Sequence, residues 1–528
     1  MDQKRRILYG AALFYCLIAV LPLLVMLAKS LFIEGHLTLK AYEQLFSSER
    51  QWHLLGNSMK LALSVSLTTL AAGTALGVLF SRFDLPARRM FALVFTIPLL
   101  VSPYVWAVGW ADLLSVDGML AGRVDPALLK AAYSRLFGFE GAVFILFCVY
   151  LPIPMLLTMV LLKSVNPHFE QAARLVTGWR KVFQSVTLPL IAPGLLFGAL
   201  LVFLLTFGEL SVPGYLRFDV YAVESFASFS AFYDFATATA YAVVMLLVTL
   251  LLLLFEAPFL YRAAGRLGFE YTLQPREAIG TGAYKIPLLF LLIAAAAVIV
   301  FIPFAALVWQ SAGWEAYAEA FANSGDSMLR TVWYGVIAAT VLTVLGFLTG
   351  YMVHTRSTLC FRFVDIAAFF LFALPSTVIG IGLISLWNTP WTGFIYATPL
   401  IVIMGFIAKY LLIPSRITAA QLALIPDSME EAAQMVGAGW TSRMVHIVIP
   451  LALRALAAGW LVSYIFVVRD TSVAMLLYPP GEDTLSVRIF TLMANGAPEL
   501  IAALCVIMAA MSLLPAIIVG SVTKRSRI

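Results

Sequence analysis

Long apolar runs separated by short polar stretches set the pattern of this chain. The first run follows the basic segment Met1–Arg6 and extends to about Phe32. It is too long for a cleaved signal segment and no small-residue cleavage site follows it, so it is expected to stay as a first span. Further runs lie near 57–80, 90–114, 141–162, 190–212 and 237–261. A polar stretch from Arg262 to Lys285 comes next, and then runs near 286–310, 328–352, 364–387, 397–415, 450–478 and 497–522. Each is long enough to cross a hydrocarbon core of roughly 30 Å as a helix. They are continuous and do not alternate in short segments, which excludes a β-barrel. The expected fold is an all-α polytopic membrane protein with about twelve transmembrane helices.

Composition agrees with that pattern. Of 528 residues, 62% are hydrophobic and 12% charged, and the mean hydropathy is +0.95, far from the balance of a soluble domain. The net charge of +6 is not a nucleic-acid footprint, because membrane proteins concentrate Lys and Arg on the cytoplasmic side. With the N-terminus inside, Arg82, Arg88, Arg89, Lys163, Arg174, Arg180, Lys181, Arg262, Arg356, Arg416 and Arg443 all fall on inner loops. The outer loops keep fewer basic residues, among them Lys40, Arg50, Arg123, Lys130, Arg135 and Arg217. Both termini are therefore expected in the cytoplasm. Cys16, Cys148, Cys360 and Cys505 are scattered through apolar runs without C-x-x-C spacing, as packed thiols would be.

The runs divide into two halves, residues 1–262 and 286–528, joined by a cytoplasmic linker at 263–285. Six spans per half let both insert with the same orientation, as a parallel repeat. Spacings support the duplication. Pro98 precedes Trp110, and Pro375 precedes Trp387, by twelve residues each. Glu209 follows Pro189, and Asp470 follows Pro450, by twenty each. A polar, helix-prone stretch also occurs twice, each time ahead of a span: Glu170-Gln171-Ala172-Ala173 with Gly178, and Glu430-Glu431-Ala432-Ala433 with Gly437. Ser428 and Glu431 have the spacing of a capping box, so a short helix is expected to start there. The turn after Ala173 is one residue shorter than that after Ala433.

The pattern E-A-A-x3-G-x9-I-x-I-P in residues 421–450, and its counterpart in 164–189, resembles the EAA cytoplasmic loop of ABC-importer permeases. The resemblance implies a type I importer fold. It also implies that Glu170, Ala172, Ala173, Gly178, Glu430, Glu431, Ala432, Ala433 and Gly437 couple the chain to an ATPase. The alternative is an amphipathic hairpin that packs only on the protein itself. Val468-Arg469-Asp470-Thr471, Leu477-Tyr478-Pro479-Pro480-Gly481 and Thr484-Leu485-Ser486-Val487-Arg488-Ile489 are similar to the end of fused permeases of the ferric-iron type, with Asp470 where Glu is usual. This second resemblance implies a bacterial inner-membrane subunit that moves ferric iron inward. It would work with two copies of an ABC ATPase and an extracytoplasmic substrate-binding protein. Thiamine, polyamine, sulfate and phosphonate importers share the architecture, and an ion-gradient-driven carrier is the reading from another class.

No enzyme motif is present. Without G-x-x-x-x-G-K-[ST] the chain is not expected to hold ATP; no cofactor is expected on it, and ATP use falls to the partner subunits. The five histidines are far apart in sequence, and no metal site is expected. Glu209 and Asp470 are the candidates for the substrate path. Twenty helical residues rise about 30 Å, which puts them near the outer membrane boundary, facing one another across a pseudo-two-fold axis. They either guide a released cation or merely cap the ends of their spans, with Arg469 able to neutralise Asp470. Pro98, Pro103, Pro152, Pro154 and Pro375 lie inside apolar runs, where proline kinks or breaks a helix.

Overall fold

The computed structural model describes residues 2–33, 36–232, 234–264, 279–311, 313–356 and 360–525. Among these residues the chain is almost wholly helical, the one hairpin pairing Phe32–Ile33 with His36–Leu37. Among the described residues nine helices are long and apolar enough to cross a membrane, or up to twelve when each of three bent helix pairs is counted as one span. The runs 90–114, 364–387 and 397–415, expected as continuous spans, are the bent ones. Arg88–Leu100 meets Pro103–Leu114 at 97°, Phe361–Ala373 meets Ser376–Trp387 at 114°, and Leu400–Tyr410 meets Leu412–Leu422 at 47°.

The two sharp breaks have one cause. Ser102 precedes Pro103 with φ −58° and ψ 136°, and Leu374 precedes Pro375 with φ −68° and ψ 142°. A residue before proline is driven out of the helical region, so the first arm ends and a new one begins. Pro103 opens its second arm, whereas Pro375 sits one place ahead of the arm Ser376–Trp387. The break that pairs with Pro375 is thus Ser102 and not Pro98, which lies inside Arg88–Leu100. The equal Pro–Trp spacings are a coincidence of composition and do not mark equivalent residues.

A different signal marks the repeat. Four widened helical turns, Cys16–Val20, Phe183–Thr187, Ala297–Phe301 and Met444–Val448, each run straight into an X-Pro pair: Leu21-Pro22, Leu188-Pro189, Ile302-Pro303 and Ile449-Pro450. Proline removes one amide donor and crowds the carbonyl four residues back. A π-type turn relieves that crowding without stopping the helix. The first and third turns lie in the first span of each half, the second and fourth in the span after each EAA-like stretch.

Close packing is duplicated as well. A Cβ on Gly73 would lie 2.6 Å from the Pro154 ring, and one on Gly77 would lie 2.6 Å from the Met155 carbonyl oxygen. In the second half Gly346 meets Pro414 and Gly350 meets the Ser415 carbonyl oxygen, again at 2.6 Å. G-x-x-x-G on the long helices Glu49–Arg82 and Trp314–Thr355 therefore lets the partner backbone approach, as small-residue seams do in membranes. Gly350→Leu is expected to destabilise the protein by about 1–3 kcal/mol through overpacking. A thermal melt of the detergent-purified variant would show this as a lowered midpoint, and an unchanged midpoint would refute it.

The sequence halves are not spatial halves. Helix Gln3–Leu31 packs on the second half: the Tyr15 hydroxyl donates to the Ala408 carbonyl at 3.1 Å, and Lys29 Nζ to that of Ser385 at 2.6 Å. Helix Gly282–Gln310 packs on the first half, where Gly109 is pressed on the backbone of Pro303. Both large apolar cores consequently draw residues from the two halves. Of the linker, residues 265–278, with Gly265 and Gly268, lie outside the described residues. Its end returns to the first half, where the Ile279 amide donates to the Arg82 carbonyl at 2.8 Å and the Asp84 amide to that of Ile279 at 3.1 Å.

Candidate functional site

Each EAA-like stretch forms a short helix, Pro167–Arg174 in the first half and Asp427–Met435 in the second. The capping box expected at Ser428 and Glu431 is not formed. Pro426 occupies the N-cap and the helix starts at Asp427, so Ser428 already lies inside the first turn. The first helix is capped by Asn166, whose side chain accepts from the His168 amide at 3.0 Å. The helices also end differently. Gly437 has φ +84°, with the Ala438 amide bonded to the Ala433 carbonyl and the Gly437 amide to that of Gln434, a Schellman end that needs a left-handed residue. The shorter first turn has no such residue. Gly178, at φ −76° and ψ 163°, takes the place of Gly439, at φ −63° and ψ 160°, ahead of Trp179 and Trp440; it is not the counterpart of Gly437.

The leading glutamates face inward. Glu170 is buried and accepts from Arg82 Nη2 at 2.5 Å and from the Thr187 hydroxyl at 2.8 Å. Glu430 accepts from the Tyr351 hydroxyl at 2.9 Å, with Arg443 Nη1 at 3.7 Å. Both anchor the short helix to the end of a long one, Glu49–Arg82 or Trp314–Thr355. Glu431 and the pair Ala172 and Ala432 are exposed, while Ala173 and Ala433 are half-buried. Beyond them stand Leu175 (89% exposed), Val176 (90%), Met435 (89%) and Val436 (84%). Phe169 and Ala172, like Met429 and Ala432, are three residues apart on one helix face, and Val176 and Val436 follow just past the helix ends. The glutamates and alanines drew attention in the sequence, but the apolar pair after them did not. The shared order A-A-x-[L/M]-V in both stretches was its signal.

The second feature is a cavity of about 180 Å³ where the two broken spans meet, lined in part by Ser102, Pro103, Pro375 and Ser376. Glu209, Arg469 and Asp470 all line it. The carboxylates hold equivalent places. Glu209 accepts from the Tyr150 hydroxyl at 3.0 Å, the Ser211 amide at 3.0 Å and the Ser211 hydroxyl at 2.5 Å. Asp470 accepts from the Tyr410 hydroxyl and from the Val473 amide at 2.7 Å, and pairs with Lys409 Nζ at 3.6 Å. Lys409, and not the adjacent Arg469, is thus its ion-pair partner.

Tyr150, bonded to Glu209, is midway along the span Phe139–Ser164. The carboxylates are therefore deeper than the outer boundary expected for them. Length along a helix converts to depth only when the helix is untilted and starts at the inner boundary. The Ser102 and Thr471 hydroxyls, 3.3 Å apart, close the cavity between the two halves. Tyr150, Tyr410 and Lys409 went unnoticed in the sequence because each lies within an apolar run, though Tyr-Leu-Pro-Ile-Pro and Tyr-Leu-Leu-Ile-Pro form a repeated frame around the tyrosines.

Residues 342–528 match the family described as the inner membrane component of binding-protein-dependent transport systems. Across both halves the chain is 25% identical over 464 residues to the ferric transport system permease protein FbpB 1 of Haemophilus influenzae, covering 83% of this chain and 72% of that one. It is 23% identical over 456 residues to the ferric transport system permease protein FbpB of Actinobacillus pleuropneumoniae, covering 82% and 65%. The spermidine/putrescine transport system permease protein PotC of Haemophilus influenzae is 25% identical over 222 residues, 42% of this chain and 85% of that one. Up to twelve apolar spans among the described residues, with a pair of short helices at the EAA-like stretches, accompany these similarities to inner-membrane permeases of binding-protein-dependent transport systems.

Proposed function

We propose that this permease carries ferric iron into the cytoplasm, driven by two copies of a separate ABC ATPase and supplied by an extracytoplasmic binding protein. One observation carries the substrate: the alignments to two ferric transport permeases run through 83% and 82% of the chain. The polyamine permease aligns with only 42% of it. What supports ATPase coupling is the pair of short helices, each anchored on its inner side and apolar on its exposed side. Both termini lie in the cytoplasm with these helices, in line with the basic inner loops. ATP is bound and hydrolysed by the partner subunits, and this chain holds no cofactor of its own.

Uptake of labelled ferric iron by cells that hold this chain with its native partners tests the proposal. Gly437→Asp places a carboxylate beside Met435 and Val436 at a left-handed position that Asp tolerates better than most residues. A Cβ there meets nothing within 4 Å. The variant should accumulate normally and take up iron about tenfold more slowly, a loss of about 1.4 kcal/mol in coupling. Wild-type uptake of a polyamine and not of iron would overturn the substrate and leave the class standing. Uptake that survives ATP depletion while the ion gradient is held would instead favour a secondary carrier.

A further inference from the structure

Four charged side chains meet in the central cavity, and among the described residues only one of them buries a nitrogen without a partner. Glu209 is satisfied by Tyr150 and Ser211, and Asp470 by Tyr410, Val473 and Lys409. Lys409 Nζ also donates to the Ser376 hydroxyl. Arg469 differs. It is 9% exposed, its guanidinium carbon lies 5.0 Å from the centre of the Phe466 ring, and its Nη1 is buried without an acceptor. Arginine cannot escape by losing its proton. A buried donor of this kind is costly until an acceptor arrives.

Arg469 lines the cavity, so an acceptor held there reaches the guanidinium once Nη1, which has almost no exposed surface, turns toward it. Two acids and two bases leave the site formally neutral, and both acids already accept from inner donors, so a bare trivalent cation finds no free carboxylate there. A planar guanidinium instead matches the paired oxygens of an oxyanion, with the Lys409 ammonium and the Ser376 hydroxyl close by. The repeat provides only one such group. The counterpart of Arg469 is Gly208, where even a Cβ would lie 2.7 Å from the Cα of Pro375.

We propose that the cavity is an oxyanion site: Arg469 Nη1, with Lys409 beside it, binds a small inorganic oxyanion such as phosphate, and iron crosses with the oxyanion coordinated to it. The identity of the passenger rests on the iron importer proposed above, whereas the anion site on Arg469 does not.

The test uses the full chain in phosphatidylcholine nanodiscs and radiolabelled inorganic phosphate, with and without ferric ion. Saturable binding is expected, weakened at least tenfold in Arg469→Gln and less in Arg469→Lys. Lys409→Met should weaken it too. Should Arg469→Gln fail to elute as a folded species, Arg469→Lys against Lys409→Met carries the comparison. Binding without iron identifies the free anion as ligand, and binding only with ferric ion identifies a metal-bound one; each supports the site. No saturable binding under either condition, or equal binding in wild type and Arg469→Gln, overturns it. Phosphate binding in a chain whose cells take up no iron would sink the iron cargo alone.

Discussion

Glu170→Ala is expected to remove about 3–5 kcal/mol of stability, because it strands Arg82 as an uncompensated buried charge. The Arg82 and Glu170 side chains are 8% and 5% exposed, so water cannot take over the lost contact. Glu170→Gln keeps a carbonyl for Arg82 or Thr187 and should lose less. The equivalent change in the second half is milder. Glu430 is 26% exposed and its closest donor is the neutral Tyr351, so Glu430→Ala should cost about 1–3 kcal/mol. Thermal melts of the purified variants, with membrane accumulation beside them, measure the difference. Equal midpoints for Glu170→Ala and wild type would remove the anchoring role, and a larger loss for Glu430→Ala would reverse the asymmetry.

Val176→Asp combined with Val436→Asp is expected to abolish uptake while leaving the protein folded. Both side chains point almost wholly to solvent, so neither substitution disturbs a core. An apolar residue at the centre of a protein interface is commonly worth about 2 kcal/mol or more, and a carboxylate there adds a desolvation cost. Two such changes should reduce ATPase association by about a thousandfold. Co-purification of the ATPase with the tagged permease reads this directly. Retention of the ATPase at wild-type levels would show that the exposed faces are not where it docks. Glu170→Ala, by contrast, should fail through the melting temperature, which separates anchoring from docking.

Span number and class were legible in the sequence because both depend on long apolar runs, which survive any rearrangement of contacts. The EAA stretches were legible for the opposite reason, as polar islands. What the sequence concealed was direction. Glu170 and Glu430 stood out as coupling residues, but that they turn inward was hidden, since Arg82 and Tyr351 lie far away in sequence and only packing brings them near. The Pro98 and Pro375 spacing misled because proline acts on the residue before it, and the real breaks at Ser102 and Leu374 depend on that rule. Glu209 and Asp470 were paired correctly as repeat mates from their distance to Pro189 and Pro450. Their depth was not recoverable, because a residue count measures length along a helix only. Gly73, Gly77, Gly346 and Gly350 stood in plain view as G-x-x-x-G, but the motif gains meaning only once the facing helix is known.

The exchange of first helices also sets a timetable for synthesis. Tyr15 is separated from its hydrogen-bond partner Ala408 by 393 residues. At about 5–20 residues per second, helix Gln3–Leu31 is made roughly 20–80 s before the surface it finally covers. During that interval its Tyr15 hydroxyl and Lys29 ammonium must find temporary partners in lipid headgroups, the insertion machinery or the growing first half. Helix Gly282–Gln310 has no such wait, because the segment around Gly109 already stands in the membrane when it emerges. Assembly of this permease is therefore ordered from one side: the second half must be completed before the first helix can leave its provisional place.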